Sequence, residues 1–193
     1  QEKKLKTIIR NAEMLGVFVA QLFELSTLDA KETQPIMEPF SVLDMVTEEI
    51  IPKYAEIARN NGVRLIAEIP ESAPRVLADF HMIYRVLSNL VENALRWTGA
   101  NGTVKISAEL LNDKIRISVA DTGCGIAAAN LPFIFERFYR TDHRERGKAS
   151  GMGLGLAIVK KIIELHEAAI TVESTEGEGS TFTFLLPVYR EGQ

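Results

Sequence analysis

Asp121-Thr122-Gly123-Cys124-Gly125-Ile126 and Gly151-Met152-Gly153-Leu154-Gly155-Leu156 bracket the segment around which the chain is organised. Glycines this closely spaced let backbone amides approach an anion with no Cβ in the way. The second cluster runs straight into Leu156–His166, which reads as a helix, so its amides sit where a helix favours negative charge. Between the clusters lie Phe133-Ile134-Phe135-Glu136-Arg137-Phe138-Tyr139-Arg140 and a polar run rich in charge and small residues. The whole is expected to be a flap over a bound nucleotide, hinged at both glycine clusters. Phe135, Phe138 and Tyr139 read as flap packing before base stacking.

Working outward, Asp79–Trp97 has a buried stripe of Ile83, Val86, Leu87, Leu90, Ala94 and Trp97, the helical period. Asn89, Asn93 and Arg96 fall within about 60° of one another at one border of that stripe, facing a cleft at the edge of the core, with Glu92 on the other side. Asparagine is a poor helix former, and two of them one turn apart in mid-helix need a reason. Asn93 offers an amide oxygen of the kind Mg2+ accepts beside phosphate and water. Asn89 can bond phosphate or metal-bound water, and Arg96 can neutralise phosphate charge. Asp121 ends a strand at the mouth of the cleft, where an acceptor-only carboxylate suits the exocyclic amine of adenine; as a bare motif it is equally a turn-forming Asp before Thr-Gly.

The remaining elements supply a scaffold. Val63–Ile69, Arg75–Leu77, Val104–Leu110, Ile115–Val119, Ile170–Ser174 and Thr181–Pro187 read as strands. Their alternation gives one covered and one wet face, as in an antiparallel sheet with helices on one side. Ser41–Asn60 is helical and closed by Asn61-Gly62. In Gln1–Asp29 the apolar positions Leu5, Ile8, Ala12, Leu15, Val19 and Leu22 form a helical seam, widened by Ile9, Phe18, Phe23 and Leu25. With the polar, Pro-containing stretch 31–39 behind it, this helix is expected to protrude and dimerise.

Composition narrows the classes. The 193 residues are 46% apolar and 25% charged with a net charge of −4, which is globular and carries no basic field for nucleic acid. The single cysteine, Cys124, excludes an internal disulfide and fits a reducing compartment. No run reaches bilayer length and no signal-peptide pattern is present, so a cytoplasmic location is expected, with any membrane anchor in another part of the parent. His81, His143 and His166 have no metal-ligand spacing. The Gly151, Gly153, Gly155 cluster matches neither the dinucleotide fingerprint nor the P-loop.

Asn89-Leu-Val-Glu-Asn93-Ala, Asp121-Thr-Gly-Cys-Gly-Ile, Phe135-Glu-Arg-Phe-Tyr-Arg140, Gly151-Met-Gly-Leu-Gly-Leu-Ala and Gly179-Ser-Thr-Phe together resemble the N, G1, F and G2 boxes of bacterial sensor histidine kinases. The resemblance runs from about Pro39 to Pro187. Gln21-Leu-Phe-Glu-Leu-Ser-Thr-Leu-Asp29 similarly looks like the end of the second helix of their dimerisation and phosphotransfer domain. It implies a Bergerat ATP-binding fold, an α/β two-layer sandwich with a mixed sheet backed by three helices and preceded by a long N-terminal helix. The implied division is 1–30 dimerisation helix, 31–39 linker and 40–193 ATP-binding domain.

By the same resemblance, Asn93 would hold Mg2+, and Asn89 would assist at the phosphates of ATP. Asp121 would take the adenine amine, and Gly123, Gly125 and Ile126 would shape the base pocket. Phe135, Tyr139 and Arg140 would belong to the lid. Gly151 and Gly153, Leu154, Gly155 and Leu156 would meet the phosphates, and Thr181 would reach adenine through water. Partners implied are a phosphoacceptor-histidine segment of the same protein, a response regulator and a second copy in a homodimer, with the parent anchored in the inner membrane.

Where hydrolytic relatives carry a glutamate this chain has Asn89, and an amide does not act as a base, so hydrolysis is expected to be slow. Two departures stand out. No histidine here has the surroundings of the phosphoacceptor box, and Glu167-Ala168-Ala169 replaces the usual Gly-Gly after His166, which removes the residue suited to a left-handed helix cap. The competing reading is a regulatory module that uses ATP only as a conformational ligand.

Overall fold

The computed structural model describes residues 2–30, 32–140 and 152–191. Helix α1 (Glu2–Asp29) leads into β1 (Glu38–Phe40) and α2 (Val42–Asp44), whose N-cap Ser41 accepts from the Asp44 amide at 3.2 Å. The chain winds on through a π-helical stretch (Met45–Ile50) into α3 (Ile51–Asn60). Ile51 donates five residues back to Val46, next to Pro52, whose missing N–H already interrupts the α ladder. Then come β2 (Arg64–Glu68), β3 (Val76–Ala78), α4 (Phe80–Trp97), β4 (Thr103–Leu111), β5 (Lys114–Asp121), α5 (Gly155–Leu165), β6 (Ile170–Thr175) and β7 (Gly179–Pro187).

Five strands form one sheet in the order β2-β4-β5-β7-β6, with β2 and β4 parallel and every other pair antiparallel. The alternation in the sequence decides which face is covered. Val104, Ile106 and Ala108, then Ile115, Ile117 and Val119, then Phe182, Phe184 and Leu186 are buried against the helices, while the residues between them, Leu185 excepted, carry hydroxyls or charges. Ile83, Val86, Leu87 and Leu90 of α4 and Ile158, Val159, Ile162 and Ile163 of α5 complete the core. A mixed sheet with α3, α4 and α5 behind it is the expected sandwich.

Two local readings change. Part of the stretch expected as a linker is strand: β1 pairs antiparallel with β3, Glu38 opposite Ala78, and the Ile36 amide donates to Asp79 Oδ2 at 2.8 Å. Asp79 also N-caps α4 by accepting from Met82, and its own amide donates to Nε2 of the buried His166 at 3.0 Å. Helix α1 does not simply protrude. Its last turns dock on the domain: Leu25 and Leu28 are buried, Glu24 grips Arg85 at 2.7 and 2.9 Å, and Asp29 meets Arg137 and Lys161. Farther back, Leu5, Ile8, Leu15, Val19 and Phe23 remain exposed.

After α5 the expected strain is present. Glu167 takes φ +53, the left-handed position, and the cap is a Schellman motif: Ala168 donates to the Ile163 carbonyl and Glu167 to that of Glu164. The turn keeps the geometry that glycine would favour and imposes it on glutamate.

Candidate active site

The antiparallel register of β5 and β7 sets one end of the cleft. Asp121 stands opposite Ser180, accepts from the Gly123 amide at 2.8 Å and is also bonded by the Ser180 backbone. Burial pushes its carboxyl above the ordinary aspartate range, and those two backbone donors pull it partly back. What remains is a half-buried acceptor lining the cleft.

The first glycine cluster forms a closely packed turn. Gly125 has φ +65, and a Cβ there would run into the Thr175 carbonyl. The turn is further pinned by Gly177 N–H to the Cys124 carbonyl at 2.8 Å and Ile126 N–H to Ser174 Oγ at 2.9 Å. The two ends of the intervening stretch meet at Phe138 and Gly153. Phe138 takes φ +64, costly for a bulky residue, and donates to the Gly153 carbonyl at 2.9 Å, while Gly153 at φ +72 packs against Phe138 and Tyr139 where a Cβ has no room. Tyr139 is steadied by its hydroxyl on Asn130 Oδ1 (2.9 Å) and by the Phe133 ring.

At the opposite end α4 faces the start of α5. Asn89 Nδ2 donates to the Arg85 carbonyl at 3.1 Å, which leaves Oδ1 turned to Gly155: a Cβ on that glycine would stand 3.3 Å from it. Helix α5 begins at Gly155 with no side-chain cap on its first amides. Asn93, one turn along α4, makes no hydrogen bond with the described residues and lines the cleft. Arg96 lines it too and is held by Glu92 at 3.2 Å.

The cleft encloses about 1180 Å³ of empty space when the open solvent at its mouth is included. Of the residues expected from the sequence, Asn89, Asn93, Arg96, Asp121, Gly125, Ile126, Tyr139, Arg140, Gly153, Gly155 and Leu156 line it together. Gly123, Phe135 and Leu154 stand one layer behind. Gly123 is pressed between Asp121 and the Trp97 carbonyl, Phe135 packs edge-on against Phe182, and Leu154 is fully buried at the start of α5.

Thr181 is a correction. Successive residues of β7 alternate faces, so with Phe182 turned to the helices Ser180 lines the cleft and Thr181 lies on the other side of the sheet. Glu92, expected to turn away, borders the cleft through its pair with Arg96. Gly151 and His143 lie outside the described residues. The phase of β7 was available in the Phe182, Phe184, Leu186 alternation. Gln21 of α1, which also lines the cleft, had no local signal because it arrives by tertiary docking.

Among the described residues no three of His, Cys, Asp and Glu cluster as a metal site, and no helix is long and apolar enough to cross a membrane. Residues 78–190, more than half the chain, match the family described as histidine kinase-, DNA gyrase B- and HSP90-like ATPase. The chain belongs to this family. As a member of this ATPase family it is 38% identical over 184 residues to the sensor-like histidine kinase SenX3 of Mycobacterium bovis, 95% of this chain and 44% of that protein. It is 38% identical over 149 residues to the adaptive-response sensory kinase SasA of Crocosphaera subtropica, 77% of this chain and 38% of that one. The chain thus spans less than half the length of these curated relatives. Its fold matches full-length ShkA in complex with AMPPNP (TM-score 0.85, 26% identity, 98% of this chain and 39% of that one). It also matches the histidine kinase ThkA in complex with the response regulator protein TrrA (TM-score 0.77, 30% identity, 99% and 52%).

Proposed function

We propose that the cleft binds ATP with Mg2+ and that the chain is the catalytic part of a two-component sensor histidine kinase, handing the γ-phosphoryl group to a histidine in another segment of the protein. From there it would pass to a response-regulator aspartate. The observation that carries this reading is the polarity of the cleft: one half-buried acceptor, Asp121, at one end, and at the other Asn89 facing the uncapped start of a helix, with Asn93 one turn along on the same wall.

Asp121 accepts a hydrogen bond from the adenine amine, and Ser180 shares that wall. The α5 amides and Arg96 receive phosphate oxygens, for which Arg96 must leave Glu92. The unengaged amide oxygen of Asn93 fits a hard ion that takes one or two protein oxygens and fills the rest with phosphate and water. Mg2+ held there would neutralise charge on the transferring group. Asn89 cannot accept a proton, so water is not activated and the phosphoryl group is kept for a histidine in line with it.

The exposed apolar stripe of α1 supports pairing with a second copy in a homodimer. Use of ATP implies the cytoplasm, with a membrane anchor of the parent lying outside this chain. The test is addition of a separate fragment bearing the acceptor histidine, with γ-labelled ATP. Label reaching histidine, and lost with Asn93→Ala, is expected. Tight ATP binding with no transfer would favour a regulatory module instead.

A further inference from the structure

Helix α1 contributes a side chain to the cleft. Gln21 lines it, and its carboxamide makes no hydrogen bond with the described residues. What holds it there is the forked ion pair between Glu24 and Arg85, 2.7 and 2.9 Å, backed by the burial of Leu25 and by Phe18 against Phe138 at 6.3 Å. The same Arg85 accepts Asn89 Nδ2 on its carbonyl. One turn before the fork on α1 is Gln21, one turn after it on α4 is Asn89, and both line the cleft. Asn89 marks the end facing α5, opposite Asp121.

Given the reading of the cleft above, on which this rests, the purine end is at Asp121 and the terminal phosphate at the Asn89 end. We infer that Gln21 donates a hydrogen bond from α1 to the terminal phosphate of a bound nucleoside triphosphate, so that the docked helix distinguishes triphosphate from diphosphate. Glu24 acts as a positioning residue through Arg85. Because coupling between binding events is reciprocal, triphosphate then strengthens the docking of α1 and its loss after transfer weakens it.

The experiment is calorimetric titration of the full chain with Mg-ATP and Mg-ADP for the wild type, Gln21→Ala, Glu24→Arg and the reversed pair Glu24→Arg/Arg85→Glu, with unfolding midpoints measured alongside. One hydrogen bond to a charged phosphate is worth roughly tenfold in affinity. Gln21→Ala is expected to weaken ATP about that much and leave ADP unchanged. Glu24→Arg should do the same, and the reversed pair should restore discrimination. Equal losses for both nucleotides, or no loss, in Gln21→Ala overturn the inference while leaving the ATP site standing. Absence of ATP uptake by the wild type overturns both.

Discussion

Replacing Glu167 by glycine should stabilise the domain, and the structure sets the size of the effect. Glu167 is the C′ residue of α5 at φ +53, and both Schellman bonds depend on that conformation. Holding an L-residue there costs roughly 1–2 kcal/mol. Glycine removes the penalty but has more freedom to lose on folding, about 0.5–1 kcal/mol. The difference leaves a gain of about 0.5–1 kcal/mol, or roughly 1–4 °C in the unfolding midpoint of a domain this size. Glu167 is exposed and has no ion pair among the described residues, so its charge contributes little. Thermal and urea unfolding of nucleotide-free protein should rank Glu167→Gly above wild type, Glu167→Ala near wild type, and Glu167→Val below both. An Ala variant as stable as the Gly variant would refute the backbone argument, since alanine removes the carboxylate and keeps the strain.

Asn93→Ala should abolish the Mg2+ dependence of ATP binding while leaving the fold intact, as read by titration with and without the ion; affinity unchanged in both conditions contradicts the metal assignment. Gly125→Ala should cost about 2 kcal/mol or more in urea unfolding, because the left-handed backbone and the Thr175 carbonyl penalise the same methyl. Asp121 predicts two opposite responses to acid. Its folded pKa lies above the ordinary value of 3.8 through burial, so its ionised form costs stability above the folded pKa, and that cost is relieved as pH falls through it. ATP affinity runs the other way, since the adenine amine needs the ionised acceptor. Relative to Asp121→Asn, wild-type affinity should therefore drop on acidification before pH reaches the ordinary aspartate range; parallel curves for the two proteins would rule this out.

Local periodicity made much of this legible. The stripe of α4 and the inward alternation of three strands place the core, and the helical angle alone gathers Asn89, Asn93 and Arg96 on one wall. The glycine clusters marked both rims of the cleft, although only tertiary contacts show that a Cβ has no room at Gly125 or at Gly153. Thr181 was misplaced by one residue, which on a strand is the whole width of the sheet. Strand β1 was hidden because three residues with a proline carry almost no periodicity, and its partner β3 is equally short. The docking of α1 was invisible for a different reason: a seam of apolar residues states that a helix is covered, not by which surface, and Leu25 and Leu28 are buried in the domain core while Leu5, Ile8, Leu15 and Val19 are exposed.

A crystal structure with a non-hydrolysable ATP analogue and Mg2+ would locate both ends of the nucleotide at once. The purine amine should lie within hydrogen-bond distance of the Asp121 carboxylate beside Ser180, with the phosphates between Asn89, Asn93 and the first amides of α5 and the ion on Asn93 Oδ1. A nucleotide found in another surface depression, or one inserted with its phosphates at Asp121, would contradict the assignment of both ends.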